Sequence, residues 1–282
     1  MTRQTSKKFR TGSNRSGRSR VTGPPAGPVI APAIISRVPT FQPTFRRGQP
    51  RGMDDTFTTQ FGTVRVAGRL TETHRKVLDA IFATAIEEYD MPTGAKAFLV
   101  DPYQLAKVAN VNHKPAWLAT LMRDMRHADV LIVDHKTGLE HHAGIVSEYR
   151  ESPRRVQLPG GALHGDRPLM IVTISSAWMR IYRASLTVRY RSVLSIINQA
   201  RHAATHALAL HILTNTQYSR ALAQSLTEIG AWRDDMSDRG RRKVVAEVLD
   251  EADLLNKLGI TIDRGIVHYR QHHMVHFSNP VS

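Results

Sequence analysis

The stretch MSDRGRRKVVAEVLDEADLLNKLGI, Met236 to Ile260, carries Arg239, Arg241, Arg242 and Lys243 in its first turns and Glu247, Asp250, Glu251 and Asp253 behind them. Read as one helix, this order runs against the macrodipole, which favours acids at the N-terminus and bases at the C-terminus. Asp238 is the only acid of the first turn. A polyanion docked at the helix N-terminus would favour the arrangement. At about 100° per residue, Val244, Val245, Ala252 and Leu255 fall on one side with Val248. Arg239, Arg242, Lys243 and Ala246 fall on the other, with Asp250 and Asp253 further along. The outward face is therefore expected to be basic for two turns and acidic afterwards, as suits a recognition helix that enters a major groove by its N-terminal residues. Ser237 is the natural N-cap, and Gly240 keeps the first turn free of a bulky side chain.

GITIDRGIVHYRQ follows directly and reads as a hairpin turning at DRG, with Arg264 at its turn and Arg270 on its return strand. QARHAATHALALHILTN, a long helix, and SRALAQSLTEIGA, a short one, precede it. The first half shows a similar order. FTTQFGTVRV alternates like a strand, and LTETHRKVLDAIFATAIEEY is a helix with Thr71 or Thr73 as N-cap candidates. AFLV is a short strand, and DPYQLAKVANV begins with Asp101 as N-cap and Pro102 at the first helical position. HKPAWLATLMRDMRHA completes a helix-turn-helix, burying Leu118, Leu121, Met122 and Met125. Its outward positions include Asn112, Arg123 and Arg126, and Lys114 stands at its start, so contact with DNA here is expected to be lighter. DVLIVDHKTGLEHHAGIVSEYRES reads as a two-stranded wing. The fold class expected is α+β: two tandem winged helices over 57–152 and 169–277, joined by a linker over 153–168, with a tail over 278–282. The second unit is expected to do most of the sequence reading.

Residues 1–52 hold nine Arg and two Lys with no acid, whereas the remaining 230 residues hold 28 bases against 24 acids. A disordered, basic, Pro-rich arm over 1–56 is therefore expected to precede a nearly balanced body and to touch phosphates without regard to sequence. SKKFRTGSNRSGRSR has no stripe of bulky apolar residues to insert into a membrane, no run approaches the roughly 18 apolar residues of a span, and no secretory signal is read. The absence of cysteine excludes disulfides and thiolate metal sites and fits a reducing cytosol.

No phosphate-cradling G-x-x-x-x-G-K-[ST], no G-x-G-x-x-G, no H-E-x-x-H and no His-apolar-His triplet of a nickase occurs. No enzyme activity and no cofactor are expected. His272 and His276 would share a helical face, yet HYRQHHMVH follows a strand with no acid nearby, so a solvated tail is expected rather than a metal site. Glu87, Glu88 and Asp90 in IEEYD read as an exposed helix end, and Trp117, Trp178 and Trp232 as core anchors.

These segments, from LTETHRKVLDAIFA through DPYQLAKVANV, DVLIVD…GIVSEYRE and LMIVTISSAW to SDRGRRKVVAEVLDEADLLNKLGITID, resemble in their order the tandem winged-helix replication initiators of theta-replicating plasmids. The resemblance covers roughly residues 57–275 and lies in pattern rather than in invariant residues. It implies binding of double-stranded DNA at repeated origin sequences (iterons), restraint by homodimerisation, recruitment of host replication proteins such as helicase loader and helicase, and a cytoplasmic, plasmid-associated place. The pentapeptide clamp-binding motif that some members carry near the N-terminus is not found. A winged-helix transcriptional regulator or plasmid maintenance protein is the alternative, marked by an effector pocket or a dimerisation helix.

Removing the basic arm should weaken binding to every duplex nearly equally. Titrations across salt concentrations should show a log–log slope shallower by about 0.9 for each phosphate the arm had neutralised. Loss of discrimination between a specific site and random DNA would show instead that the arm reads sequence.

Overall fold

The computed structural model of the chain describes residues 30–43, 54–112, 114–138, 140–156, 167–271 and 275–278. These form an α+β structure in which four small antiparallel sheets and their helices enclose two hydrophobic cores.

The chain enters through β1 (Ile30–Pro32) and α1 (Ala33–Arg37), inside the stretch expected to be an unpatterned arm. The prolines frame this helix instead of breaking it. Pro32 stands just before its first residue, and extended Val38 ends it ahead of Pro39. Ala31 and Ala33 belong to one core and Ile34, Ile35, Val38 and Phe41 to the other, so the segment is a strap across both. The arm's expected boundary at residue 56 is thus corrected, and a truncation that tests it ends at residue 29, removing seven bases and no acid. Residues 1–29 lie outside the described residues.

The first core then builds from β2 (Asp54–Thr58), β3 (Gly62–Ala67) and α2 (Glu72–Thr84). Thr71 caps α2 in a reciprocal box, with its N–H donating to Nδ1 of His74 at 3.0 Å. The helix stops at Thr84. IEEYD, expected as its exposed end, is instead β4 (Glu87–Asp90), because pairing with the apolar strand β5 (Lys96–Val100) overrides the local preference of an acidic run. Asp101 caps α3 (Pro102–Ala109) by accepting from the N–H of Tyr103 at 3.0 Å, and α4 (Pro115–His127) follows.

From there the chain departs from the expected wing. β6 (Asp129–Asp134) turns away to pair with β3 and carries β7 (Glu140–Ala143) with it, giving the sheet order β2-β3-β6-β7. The hairpin that flanks the helix pair is β8 (Val146–Val156) with β9 (Arg167–Ile174), in the sheet order β4-β5-β9-β8. LMIVTIS, expected to open the second unit, is therefore an inner strand of a sheet of the first. The expected linker 153–168 includes the ends of this hairpin, where Arg155 pairs with Pro168 and Val156 with Arg167. α5 (Ser176–Ala184) also belongs here, since Trp178, Met179 and Ile181 lie in the first core. A strand's alternation shows which face is buried and not which neighbour it pairs with.

The second core starts with β10 (Thr187–Arg189), α6 (Arg191–Ile197) and α7 (Ala203–Leu213), a helix buried all round as its apolar run requires. Then come β11 (Gln217–Ala221), α8 (Leu222–Glu228), α9 (Asp238–Leu249), α10 (Ala252–Lys257), β12 (Ile260–Asp263) and β13 (Ile266–Arg270), with the sheet order β11-β13-β12. The long helix, the helix pair and the hairpin stand here in the expected order, but residues 219–221, expected in the short helix, belong to β11, and the stretch read as one helix is broken into α9 and α10. Beyond them β14 (His276–Ser278) pairs with β10, which in turn pairs with β1, so this part of the expected tail is a strand. His272 and His273 lie outside the described residues.

Polar groups of α2 tie the two cores together. Arg75, 2% exposed, donates through Nε to Asp79 at 2.9 Å and through Nη2 to the hydroxyl of Tyr190 at 2.7 Å and to Ser36 of the strap at 3.2 Å. The Tyr190 hydroxyl donates in turn to Asp79 at 3.2 Å. Lys76 donates to the carbonyls of Asn198 and Ala200 at 3.2 and 2.6 Å. Glu72 meets Nδ1 of His206 at 2.5 Å, and Nε2 of His206 faces Oδ1 of Asn198 at 3.2 Å. Burial pushes Glu72 up to about 8, against the pull of Arg75, and holds His206 well below its usual range. Although the pair stands at ion-pair distance, burial disfavours both charges. At neutral pH it is a neutral hydrogen bond, from protonated Glu72 to Nδ1, with the Nε2 proton donated to Asn198.

This assignment fixes a sign. A carboxyl raised from 4.5 to about 8 contributes stability that is present at low pH and lost as pH climbs through that interval. The lowered His206 acts in the opposite sense, but only below its ordinary 6.5. Between pH 6.5 and 8 the Glu72 effect is the larger of the two, and thermal melts should show stability falling by about 1 kcal/mol, since the full ~1.36 kcal/mol per pH unit applies only while Glu72 stays fully protonated. Glu72→Gln keeps a donor for Nδ1 and should flatten that slope. An unchanged slope would mean that Glu72 is ionised in the folded protein.

Candidate nucleic-acid interface

The helix of the opening stretch is α9, and it begins as its sequence requires. Ser237 accepts the N–H of Gly240 at 3.3 Å, and Val244 and Val248 face the core. Arg239, Arg242, Lys243 and Ala246 are all exposed on the opposite side. Gly240 has a specific reason: a Cβ there would lie 2.9 Å from Cγ of Met236, which packs across the first turn.

Arg241 does not join the outward bases. Its Nη2 donates to the carbonyls of Arg233 and Asp234 at 3.3 and 3.5 Å, and its guanidinium lies over the ring of Trp232 at 5.6 Å. It holds the approach to α9, and the structure does not bring it together with the outward bases it was grouped with. The signal was present, because a residue seven before Val248 returns to nearly the same side of a 3.6-residue helix. The Ser237 oxygen is likewise engaged as a cap. Lys243 is exposed, with its ammonium 3.7 Å from Glu247 one turn on.

Glu247, Asp250 and Glu251, behind the basic head, meet the residues that lead into α7. The helix ends at Leu249, and Glu251, buried between α9 and α10, accepts the N–H groups of Arg201 and His202 at 2.7 and 3.1 Å. Asp250 takes the Arg201 guanidinium at 2.8 Å. Arg201 and His202 lead into the N-terminus of α7, where negative charge is favoured. What is adverse to the dipole of α9 is thus favourable to that of α7. This leaves the basic head facing solvent, with Asp238 of the first turn and Glu247 one turn behind as the acids on α9 itself.

The hairpin after α10 turns through Arg264 at φ 47° and Gly265 at φ 77°, the positive angles that a two-residue turn matched to strand twist requires. Arg264 is exposed at that turn. Arg270 is also exposed, but it lies at the far end of β13 and on the face away from buried Val267 and Tyr269. The structure does not bring it to the turn.

In the first unit, Asn112 accepts the N–H of Lys114 at 3.0 Å and shapes the entry to α4, while the Lys114 side chain is exposed. Arg123 lies outward with Ala116, Thr120 and His127, and Arg126 is exposed on the flank shared with Pro115 and Ala119. The hairpin β8–β9 adds bases that the sequence alone places in a wing strand or a linker: Arg150, 3.2 Å from Glu148; Arg154, 2.7 Å from Glu87; and exposed Arg155. The Arg154–Arg155 pair ahead of strand-forming Val156 was the available signal. No helix among the described residues is long and apolar enough to cross a membrane.

No protein-family model matches the chain, and no curated protein matches it in sequence. In fold it is similar to crystal structures of domains 2 and 3 of RctB. One superposes with a TM-score of 0.53 at 8% identity over 86% of this chain and 99% of that one. A second gives 0.49 at 10% identity over 84% and 94%. The likeness is one of fold, and it spans both cores of this chain.

Proposed function

We propose that this chain is a DNA-binding replication initiator of the plasmid type, built from two winged helices, which binds repeated sequences at an origin and passes that DNA to a host helicase loader and helicase. The observation that carries the reading is the polarity of α9: bases on its free N-terminal face, with Asp250 and Glu251 behind its end engaged at the N-terminus of α7. A duplex groove is the surface that such a helix end fits. The likeness in fold to RctB, a replication initiator, supports the same reading. In it α9 reads bases and Arg264 adds a contact from the hairpin turn. Lys114, Arg123, Arg126 and Arg155 of the first unit hold phosphates, and the arm adds a contact that any sequence satisfies. The protein does no covalent chemistry and needs no cofactor, and pairing of two copies restrains it.

Arg239→Ala and Arg242→Ala should melt within about 0.5 kcal/mol of the parent, since both side chains are exposed. At least one should lose roughly 1–3 kcal/mol of binding and relax preference at a single base position, because a guanidinium fork matches a guanine edge. Lys243→Ala should weaken all sequences alike, and Arg123→Ala should have the smaller effect. Undiminished binding by the Arg239→Ala/Arg242→Ala double variant at about 0.15 M salt, where loose contacts are screened, would make α9 an ordinary surface helix. The purified protein should neither nick supercoiled DNA with Mg²⁺ nor hydrolyse ATP, and a covalent tyrosine–DNA adduct would overturn the reading.

A further inference from the structure

An apolar groove of about 490 Å³ runs between the N-terminal ends of α3 and α4 on one side and the hairpin β8–β9 on the other. Pro102, Leu118, Ala119, Tyr149, Leu169 and Met170 form most of its wall. This volume lies within the roughly 300–1,000 Å³ typical of ligand sites, and the wall is unsuited to a phosphate backbone. The charged residues at the groove are Asp101, Arg150, Glu151 and Arg167, two of each sign. Asp101 is already engaged by the N–H of Tyr103 and by Nη2 of Arg167 at 2.6 Å, and Arg150 stands 3.2 Å from Glu148. In a chain of net charge +15 this is a locally neutral surface.

One polar group here is unfinished. Among the described residues, Nε of Arg167 is buried without a hydrogen-bond partner, while the guanidinium lies over the ring of Tyr103 at 4.7 Å. A buried N–H of a cation left unpaired is costly, and an acceptor oxygen delivered along the groove would remove that cost. The basic arm cannot supply the complementary charge, and duplex DNA cannot supply the apolar body.

We propose that the groove docks a segment of a partner protein that inserts a bulky apolar side chain between α4 and the hairpin and presents a neighbouring carboxylate to Arg167. Such a segment meets the apolar wall, the neutral rim and the orphaned donor together. It also places a protein partner on the unit that carries the lighter share of DNA contact.

The test is selection of a displayed random peptide library on the full chain, without DNA. Enriched peptides should pair Leu, Ile or Phe with a nearby Asp or Glu. A fluorescent copy of one should bind the parent at least tenfold more tightly than Ala119→Arg, which fills the groove from a half-buried position. Arg239→Ala should bind the peptide like the parent, which separates this proposal from the DNA reading. If Ala119→Arg does not fold, a photo-crosslinking form of the peptide on the parent chain decides. Labels on Leu118, Ala119 or Met170 support the proposal, and labels elsewhere overturn it. Absence of enrichment, equal affinity for the parent and a folded Ala119→Arg, or enriched peptides lacking acids would also overturn it. So would a fall in DNA binding, or failure to self-associate, in Ala119→Arg without peptide binding, giving the groove to DNA or to a second copy.

Discussion

The buried contact of Arg75 with Asp79, Tyr190 and Ser36 is the constraint on which the arrangement of the molecule depends. It brings a helix of the first core, the residue that opens α6 in the second, and the strap into one hydrogen-bonded cluster. A guanidinium this deep is tolerable only while its partners hold, because removing one would leave an uncompensated charge away from water. The two units are therefore not beads on a linker. The Glu72–His206–Asn198 chain and the carbonyls that Lys76 meets extend the same seam. The placement of α9 relative to α4, and so the geometry with which two helices can meet one duplex, is built in.

The reversed charge order of α9 follows from this packing. In an isolated helix, bases at the start and acids at the end are destabilising. In the folded chain the acids of that end act on the neighbouring helix, where Glu251 accepts from two backbone N–H groups ahead of α7. The free face then carries positive charge toward whatever approaches the N-terminus. Fold stability and a DNA-facing surface come from one distribution of charge.

Local rules were legible in the sequence, and long-range pairing was not. The caps at Thr71, Asp101 and Ser237, the outward bases of α9 and the DRG turn all depend on residues a few positions apart. The pairing of β9 with β5 and β8 does not, and LMIVTIS would read the same in either unit. The strap escaped because its prolines look like linker composition, while its apolar residues divide between two cores and show no single period. Arg241 was legible but groups by charge with its neighbours, although its spacing from Val248 places it inward. Arg270 carried no such signal, since alternation along β13 shows a face but not its distance from α9.

The chain has no cysteine, so one introduced thiol can carry an iron chelate that cuts nearby DNA. The most direct measurement places that label at Ala246→Cys on the outward face of α9, and in a separate protein at Lys257→Cys on α10, both exposed positions. Each is bound to a duplex that the protein itself selects from a random pool. Strand cuts confined to one short stretch of the selected site are expected from Ala246→Cys, and little cutting from Lys257→Cys. Equal cutting from both positions, or cutting from Lys257→Cys alone, would contradict the claim that α9 enters the groove by its basic end.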